Sequence, residues 1–151
     1  LEVLGYDIAT TLISTERVPA PTRVREHLNL PAGAEVIAVI RLRTVDGKPL
    51  SVHRSFVPAS LAPGLDQLDV VNEQLCVVLE DKFNLSMKSV SEDLEVIVAE
   101  GTDAKLLELR KGDPALLLTD VITNPAGTAF EYSTIVFRGD TVRLKFDYKR
   151  E

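Results

Sequence analysis

Val36-Ile37-Ala38-Val39-Ile40-Arg41-Leu42-Arg43-Thr44-Val45-Asp46-Gly47-Lys48-Pro49-Leu50-Ser51-Val52-His53-Arg54-Ser55-Phe56-Val57-Pro58 is the stretch on which the fold turns. From Val36 to Val45 it is rich in β-branched residues, the composition of a strand. Asp46-Gly47 signals a hairpin, because glycine enters the positive-φ region without steric cost. Leu50 to Val57 is then the returning strand, closed by Pro58. With a side-chain period of 2, Val36, Ala38, Ile40 and Leu42 share one face, and Ile37, Val39, Arg41 and Arg43 share the other. Both faces are apolar where the first strand begins, and two arginines emerge where it ends.

The same alternation extends to either side. Tyr6 to Ser14 reads as a strand, broken by Pro19-Ala20-Pro21. Thr22 is placed to cap a short helix, Arg23 to Asn29, with Val24 and Leu28 on one face and Pro31 and Gly33 ending it. Downstream, Asn72 is placed to cap a helix from Glu73 to Phe83 whose apolar stripe is Leu75, Val78, Leu79 and Phe83. Ser86 to Val98 reads as extended. Thr102 is placed to cap a helix from Asp103 to Leu109, stopped by Gly112 and Pro114. Strands follow at Ala115–Thr123, Ala129–Phe137 and Val142–Tyr148, joined by turn-rich links.

A repeat runs through this order. Leu28-Asn29-Leu30-Pro31-Ala32-Gly33, strand, Gly47 turn, strand is echoed by Leu107-Glu108-Leu109-Arg110-Lys111-Gly112, strand, Gly127 turn, strand. Two copies are too few for a solenoid. They suit an α+β domain: one antiparallel sheet of two pseudo-repeated halves with helices packed on one face.

The chain has 151 residues, which fits one domain, residues 1–151, and its formal net charge of −6 repels a phosphate backbone. Its bases are scattered, so nucleic-acid binding by this chain alone is not expected. No apolar run approaches the length that crosses a bilayer. The lone Cys76 excludes an internal disulfide and a cysteine zinc cage, and His27 and His53 stand too far apart in sequence to suggest a metal site. No metal and no cofactor is expected. Neither a signal-like apolar start nor an initiating Met is present, which reads as a fragment of a longer, cytoplasmic protein.

Arg41 and Arg43 are the residues best suited to chemistry. Two planar guanidiniums on one strand face match phosphate or carboxylate, and a buried arginine needs an anionic partner. That partner is either a ligand or the protein's own Asp120 or Glu131. His53 joins the arginines only if the hairpin register allows it: a two-residue loop pairs Arg41 with Val52, whereas a three-residue loop pairs Arg41 with His53. Glu131, Ser133, Ile135 and Phe137 share one face of a later strand. Phosphate-loop, dinucleotide and nucleophile-elbow motifs are all absent, so no catalytic residue is assigned.

Several motifs together resemble a known family. Leu28-x-Leu30-x-x-Gly33, Ile40-Arg41-Leu42-Arg43-Thr44-x-Asp46-Gly47-x-Pro49-Leu50 and Ser55-Phe56-Val57-Pro58 are similar to the UTRA domain, the effector-binding domain of GntR-type transcriptional regulators of the HutC subfamily. Leu107-x-Leu109-x-x-Gly112-x-Pro114, Phe130-Glu131-Tyr132-Ser133 and Phe137-Arg138-Gly139-Asp140 agree with it. The resemblance implies a chorismate-lyase-like fold, a homodimer, and a pocket for a small anionic, often phosphorylated, metabolite. It also implies that DNA is read by an N-terminal winged helix-turn-helix absent from this chain. The family's anion-binding arginines match Arg41 and Arg43, and its late-strand acid matches Glu131. Four positions depart from the pattern: His53 stands for the usual Glu, Gln74 and Cys76 stand for the Ser and Tyr of the Ser-Leu-Tyr that opens the middle helix, and Phe137 replaces a frequent Tyr. The competing reading is a lyase of the same fold acting on a small carboxylated substrate, since an Arg pair and one acid serve either role.

Overall fold

The computed structural model describes residues 8–71, 74–143, 145 and 147–149. Its elements in chain order are β1 (Ile8–Pro19), α1 (Thr22–Leu28), β2 (Glu35–Val45), β3 (Lys48–Pro58), a 3-10 turn (Leu65–Gln67), α2 (Leu75–Phe83), β4 (Ser89–Val98), α3 (Gly101–Leu106), β5 (Pro114–Thr123) and β6 (Ala129–Arg138). The strands form one six-stranded sheet in the order β1-β2-β3-β6-β5-β4. Every neighbouring pair is antiparallel. The fold is thus α+β with an antiparallel sheet.

The repeat is visible in three dimensions. Strands β1-β2-β3 with α1 form one half, and β4-β5-β6 with α3 form the other, meeting at β3 and β6. Asn29 and Glu108 occupy matching positions after their helices, and both are left-handed, with φ 53° and 55°. In each half the next leucine N–H reaches back to the helix, Leu30 to the Arg25 carbonyl and Leu109 to the Ala104 carbonyl. Such a left-handed cap satisfies carbonyls that the helix end would otherwise leave open.

Packing corrects one expectation. Helices α1 and α3 do lie on one face, over Val36, Val52, Tyr132 and Val136. Helix α2 and the 3-10 turn lie on the other, where Leu75, Val78, Leu79 and Leu65 close on Ile37, Val39, Val57 and Phe130. The reason is the start of β2, where Val36 and Ile37 point to opposite faces and both are buried. Each such side chain contributes ~1.5–3 kcal/mol when buried, so neither face can be left to water. Beyond Val39, the α2 face of the sheet turns polar.

The helix starts differ too. No side-chain hydrogen bond caps any helix among the described residues. Pro21 precedes α1, so Thr22 falls inside the first turn, and α3 begins at Gly101 before Thr102. Asn72 and Glu73 lie outside the described residues. Helix α3 ends at Leu106, short of Leu109, because Glu108 has turned left-handed. Strand β1 runs on to Pro19, paired to the end with Glu35; Tyr6 and Asp7 lie outside the described residues. No strand occurs among the described residues of 142–148, and Leu144 and Phe146 lie outside them.

Candidate functional site

Turn chemistry and one bulge build the site. Asp46 and Gly47 both have positive φ, 50° and 79°, so Val45 pairs with Lys48 across a two-residue turn. Such a turn alone would carry Arg41 opposite Val52. The register instead shifts by one residue between Arg43 and Thr44, leaving Leu50 as the extra residue of β3. A bulge of this kind places two residues against one. Arg41 therefore faces His53, and Arg43 faces Ser51. The sequence offered this pairing only through a three-residue loop; the structure reaches it through a tight turn and a bulge.

Strand β6 supplies the next column. Ser51 pairs with Phe137, His53 with Ile135 and Ser55 with Ser133. The Phe137 ring stands edge-on to His53, with centroids 6.5 Å apart and planes at 70°. Ser51 Oγ lies 2.8 Å from His53 Nε2. Arg43, Ser51, His53, Leu118, Ile135 and Phe137 line a hollow of about 150 Å3. Glu131 lies further along β6 on the same face and is buried.

Among the described residues no acid forms an ion pair with either Arg41 or Arg43. The Nε atoms of both are buried without a hydrogen-bond partner. Thr15 Oγ1 and Asp120 Oδ1 are buried and unpartnered as well. Register puts all four on one face: Thr15 beside Val39, and Asp120 beside Ser133. Unpaired buried polar atoms are costly, about 1–3 kcal/mol each, and these four gather on one side of the sheet.

Electrostatics follow from this crowding of cations. Burial lowers the Arg41 pKa; Glu131 opposes that, Arg43 adds to it, and Cys76 opposes it. Burial drives the His53 pKa down to about 3, helped by the charges of Arg41 and Arg43, so the imidazole is neutral at pH 7. Burial raises the Glu131 pKa, with Arg41 and the Ser55 hydroxyl pulling the other way. Asp120 is raised to about 7 by burial, then by its hydrogen bond and charge contact with Glu92, its direct cross-strand neighbour.

Arg41, Arg43, His53, Glu131 and Phe137 thus share one face. Gln74 does not join them by any recorded contact. It sits exposed before α2, its carbonyl accepting from the Val77 and Val78 N–H groups. Its Oε1 accepts from Cys76 Sγ at 3.6 Å. Cys76, two residues further along, is the α2 residue coupled electrostatically to Arg41. Sequence reasoning missed Ser51, which carries no motif and owes its role to the bulge. It also missed Glu92, whose register opposite Asp120 only pairing reveals. The Arg138-Gly139-Asp140 element is a clamp: Arg138 holds both Asp140 oxygens, at 3.0 and 2.9 Å, and donates to the Leu107 carbonyl at 2.7 Å. Among the described residues no group of three or more His, Cys, Asp or Glu side chains is arranged to hold a metal ion.

Residues 4–143 match the UTRA domain family. The chain belongs to that family. This UTRA domain is 25% identical over 146 residues to the probable fructoselysine utilization operon transcriptional repressor of Shigella flexneri, covering 97% of this chain and 60% of that protein. It is 27% identical over 149 residues to the HTH-type transcriptional regulator GmuR of Bacillus subtilis, covering 92% of this chain and 61% of that one. The UTRA domain thus spans about three fifths of the curated relatives it matches. Among solved structures it resembles the C-terminal domain of the histidine utilization repressor from Pseudomonas syringae, with TM-score 0.88 at 18% identity, covering 95% of this chain and all of that one. It also resembles the ligand-binding domain of a putative GntR-family transcriptional regulator from Bordetella bronchiseptica, with TM-score 0.86 at 21% identity over 99% and 93% of the two chains. These likenesses show the shared fold. The proteins named are transcriptional regulators or repressors. No helix among the described residues is long and apolar enough to cross a membrane.

Proposed function

We propose that this UTRA domain is the effector-sensing and dimerisation part of a bacterial GntR-type regulator of the HutC subfamily. Arg41 and Arg43 hold the anionic group of a small metabolite, with phosphorylated sugars and organic acids as the first candidates. His53, Glu131 and Phe137 contact the rest of the ligand, with Gln74, just before α2, as a further candidate contact. DNA is read by an attached N-terminal domain, and the whole protein works in the cytoplasm. The observation that carries the reading is the pair of guanidiniums with buried, unpartnered Nε atoms on the face that also lines the hollow. The names of the relatives and the family support the regulatory role. A homodimer is supported by β4, an edge strand whose Val90, Leu94 and Val96 form an exposed apolar row. Ligand acts by favouring one of two dimer arrangements, which requires unequal affinity for them.

Thermal unfolding against a panel of phosphorylated sugars and organic acids tests this. A ligand at ~100 times its dissociation constant adds about 2.7 kcal/mol. Arg41→Ala and Arg43→Ala abolish that gain. If no anion shifts the transition, the effector reading fails.

A further inference from the structure

The repeated halves allow one groove to be compared with its own copy. At a constant step along the chain, Leu28 corresponds to Leu107, Val36 to Ala115, Val18 to Ile97 and Leu30 to Leu109; these residues build the apolar clusters under α1 and α3. Tyr132 corresponds to Val52. Tyr132 lies between Phe56 and Val121, and Val52 lies between Val136 and Leu42, the equivalents from the other half. Under α3 the groove is plugged: Ile40 and Leu106 fill it, and the Arg54–Asp103 ion pair at 2.5 Å ties the helix to the sheet beside them. Under α1, Thr119 stands where Ile40 does, Thr134 where Arg54 does, and His27 where Leu106 does. Thr119 pairs with Thr134 just as Ile40 pairs with Arg54. The plug is missing, and a hollow of about 350 Å3 remains. That is within the range of small-molecule sites, ~300–1,000 Å3.

Its polar groups are held in place. His27 Nδ1 lies 2.8 Å from the Arg23 carbonyl oxygen, which can only accept, so Nδ1 donates and Nε2 is left outside that bond. Stacking on Tyr132, with centroids 4.4 Å apart, pins the ring. Burial raises the Tyr132 pKa, so the phenol stays a donor. Arg23 lies on the α1 wall. Asp93 and Glu95 stand on the opposite wall, turned to this side by their pairing with Thr119 and Leu117. Among the described residues no ion pair joins Arg23 to either acid. Opposite charges therefore face each other across a hydroxyl-bearing floor.

We propose that this hollow is a second small-molecule site, on the sheet face opposite Arg41 and Arg43, for a zwitterion of amino-acid type. The ligand's carboxylate meets the Arg23 guanidinium, and its ammonium meets Asp93 and Glu95. Its remaining polar groups meet Thr119, Thr134 and Tyr132. A simple anion is repelled by the two acids, and a simple amine leaves Arg23 unused. Only a ligand with both charges complements both walls.

The test is a titration of the isotope-labelled 151-residue chain with the standard amino acids, followed by NMR. Deaminated and decarboxylated counterparts of any binder are then compared with it. The expected result is saturable shifts confined to amides of α1, β4, β5 and the Tyr132–Thr134 stretch of β6, with Arg41 and Arg43 unmoved. Arg23→Gln weakens binding at least about tenfold, and so do Thr134→Val and the pair Asp93→Asn with Glu95→Gln, while each variant keeps the parent's thermal transition. The proposal is overturned if no amino acid moves these amides at millimolar concentration. It is equally overturned if Arg23→Gln binds as well as the parent, if a deaminated or decarboxylated counterpart binds as tightly, or if the shifts centre on Arg41 and Arg43.

Discussion

Arg41 on β2 lies directly opposite His53 on β3, and the extra residue Leu50 is what puts it there. The pairing sets a neutral imidazole against a guanidinium, with Arg43 beside it. Burial, then two fixed cations, oppose a third positive charge, and this is why the His53 pKa falls to about 3.

His53 should therefore stay neutral far into the acid range. Between about 6.5 and about 3 the unfolded chain takes up a proton at this residue that the native chain refuses. The unfolded state binds more protons in that window, so His53 costs stability as pH falls through it. Proton NMR of the imidazole is expected to show no titration between pH 7 and pH 4, and His53→Gln is expected to flatten the loss of stability over the same window. An anion bound to Arg41 and Arg43 raises the His53 pKa. A free-protein titration near 6.5 would contradict the electrostatic account.

Asp120 has the opposite sign. The unfolded carboxyl loses its proton near 3.8, while the native one keeps it to about 7. The native state binds more protons between those values, so this residue costs stability as pH rises. Asp120→Asn removes that slope. Its urea midpoint is expected to rise relative to the parent at pH 8 and to match the parent at pH 3.

The Arg54–Asp103 pair joins β3 to α3, with each side chain about a quarter exposed. A charged hydrogen bond in such a place is worth ~1.5–3 kcal/mol. Asp103→Ala is expected to destabilise by about that amount. A double-mutant cycle with Arg54→Ala isolates the coupling, and additive single effects would show the two side chains to be independent.

Gly139 follows Arg138 at the end of β6. A Cβ there would meet the Pro114 carbonyl oxygen at 2.6 Å. Its own N–H donates to that oxygen at 3.0 Å, so the close approach is part of the β5–β6 junction. Gly139→Ala is expected to lower stability by about 1–3 kcal/mol, the usual cost of overpacking. An unchanged urea midpoint would show that the junction yields freely.

Alternation in the sequence determined the strands from Val36 onward, the hairpin at Asp46-Gly47, the doubled order of elements, and the shared face of Arg41 and Arg43. These are legible because side-chain direction in a strand depends only on neighbouring residues. The C-terminal strand was not, since alternation over residues 142–148 has no partner among the described residues. Helix caps misled as well: Thr22 and Thr102 have the right chemistry, but each was drawn into its helix. Only the tertiary structure decided that Leu50 would bulge and seat His53 against Arg41. Only it decided that α2 would cross to the face opposite α1, and that Asp120 and Glu131 would leave the arginines without an ion pair. The physical reason is shared. Register, helix side and ion pairing are settled by contacts between residues far apart in the chain, where a shift of one residue exchanges every partner.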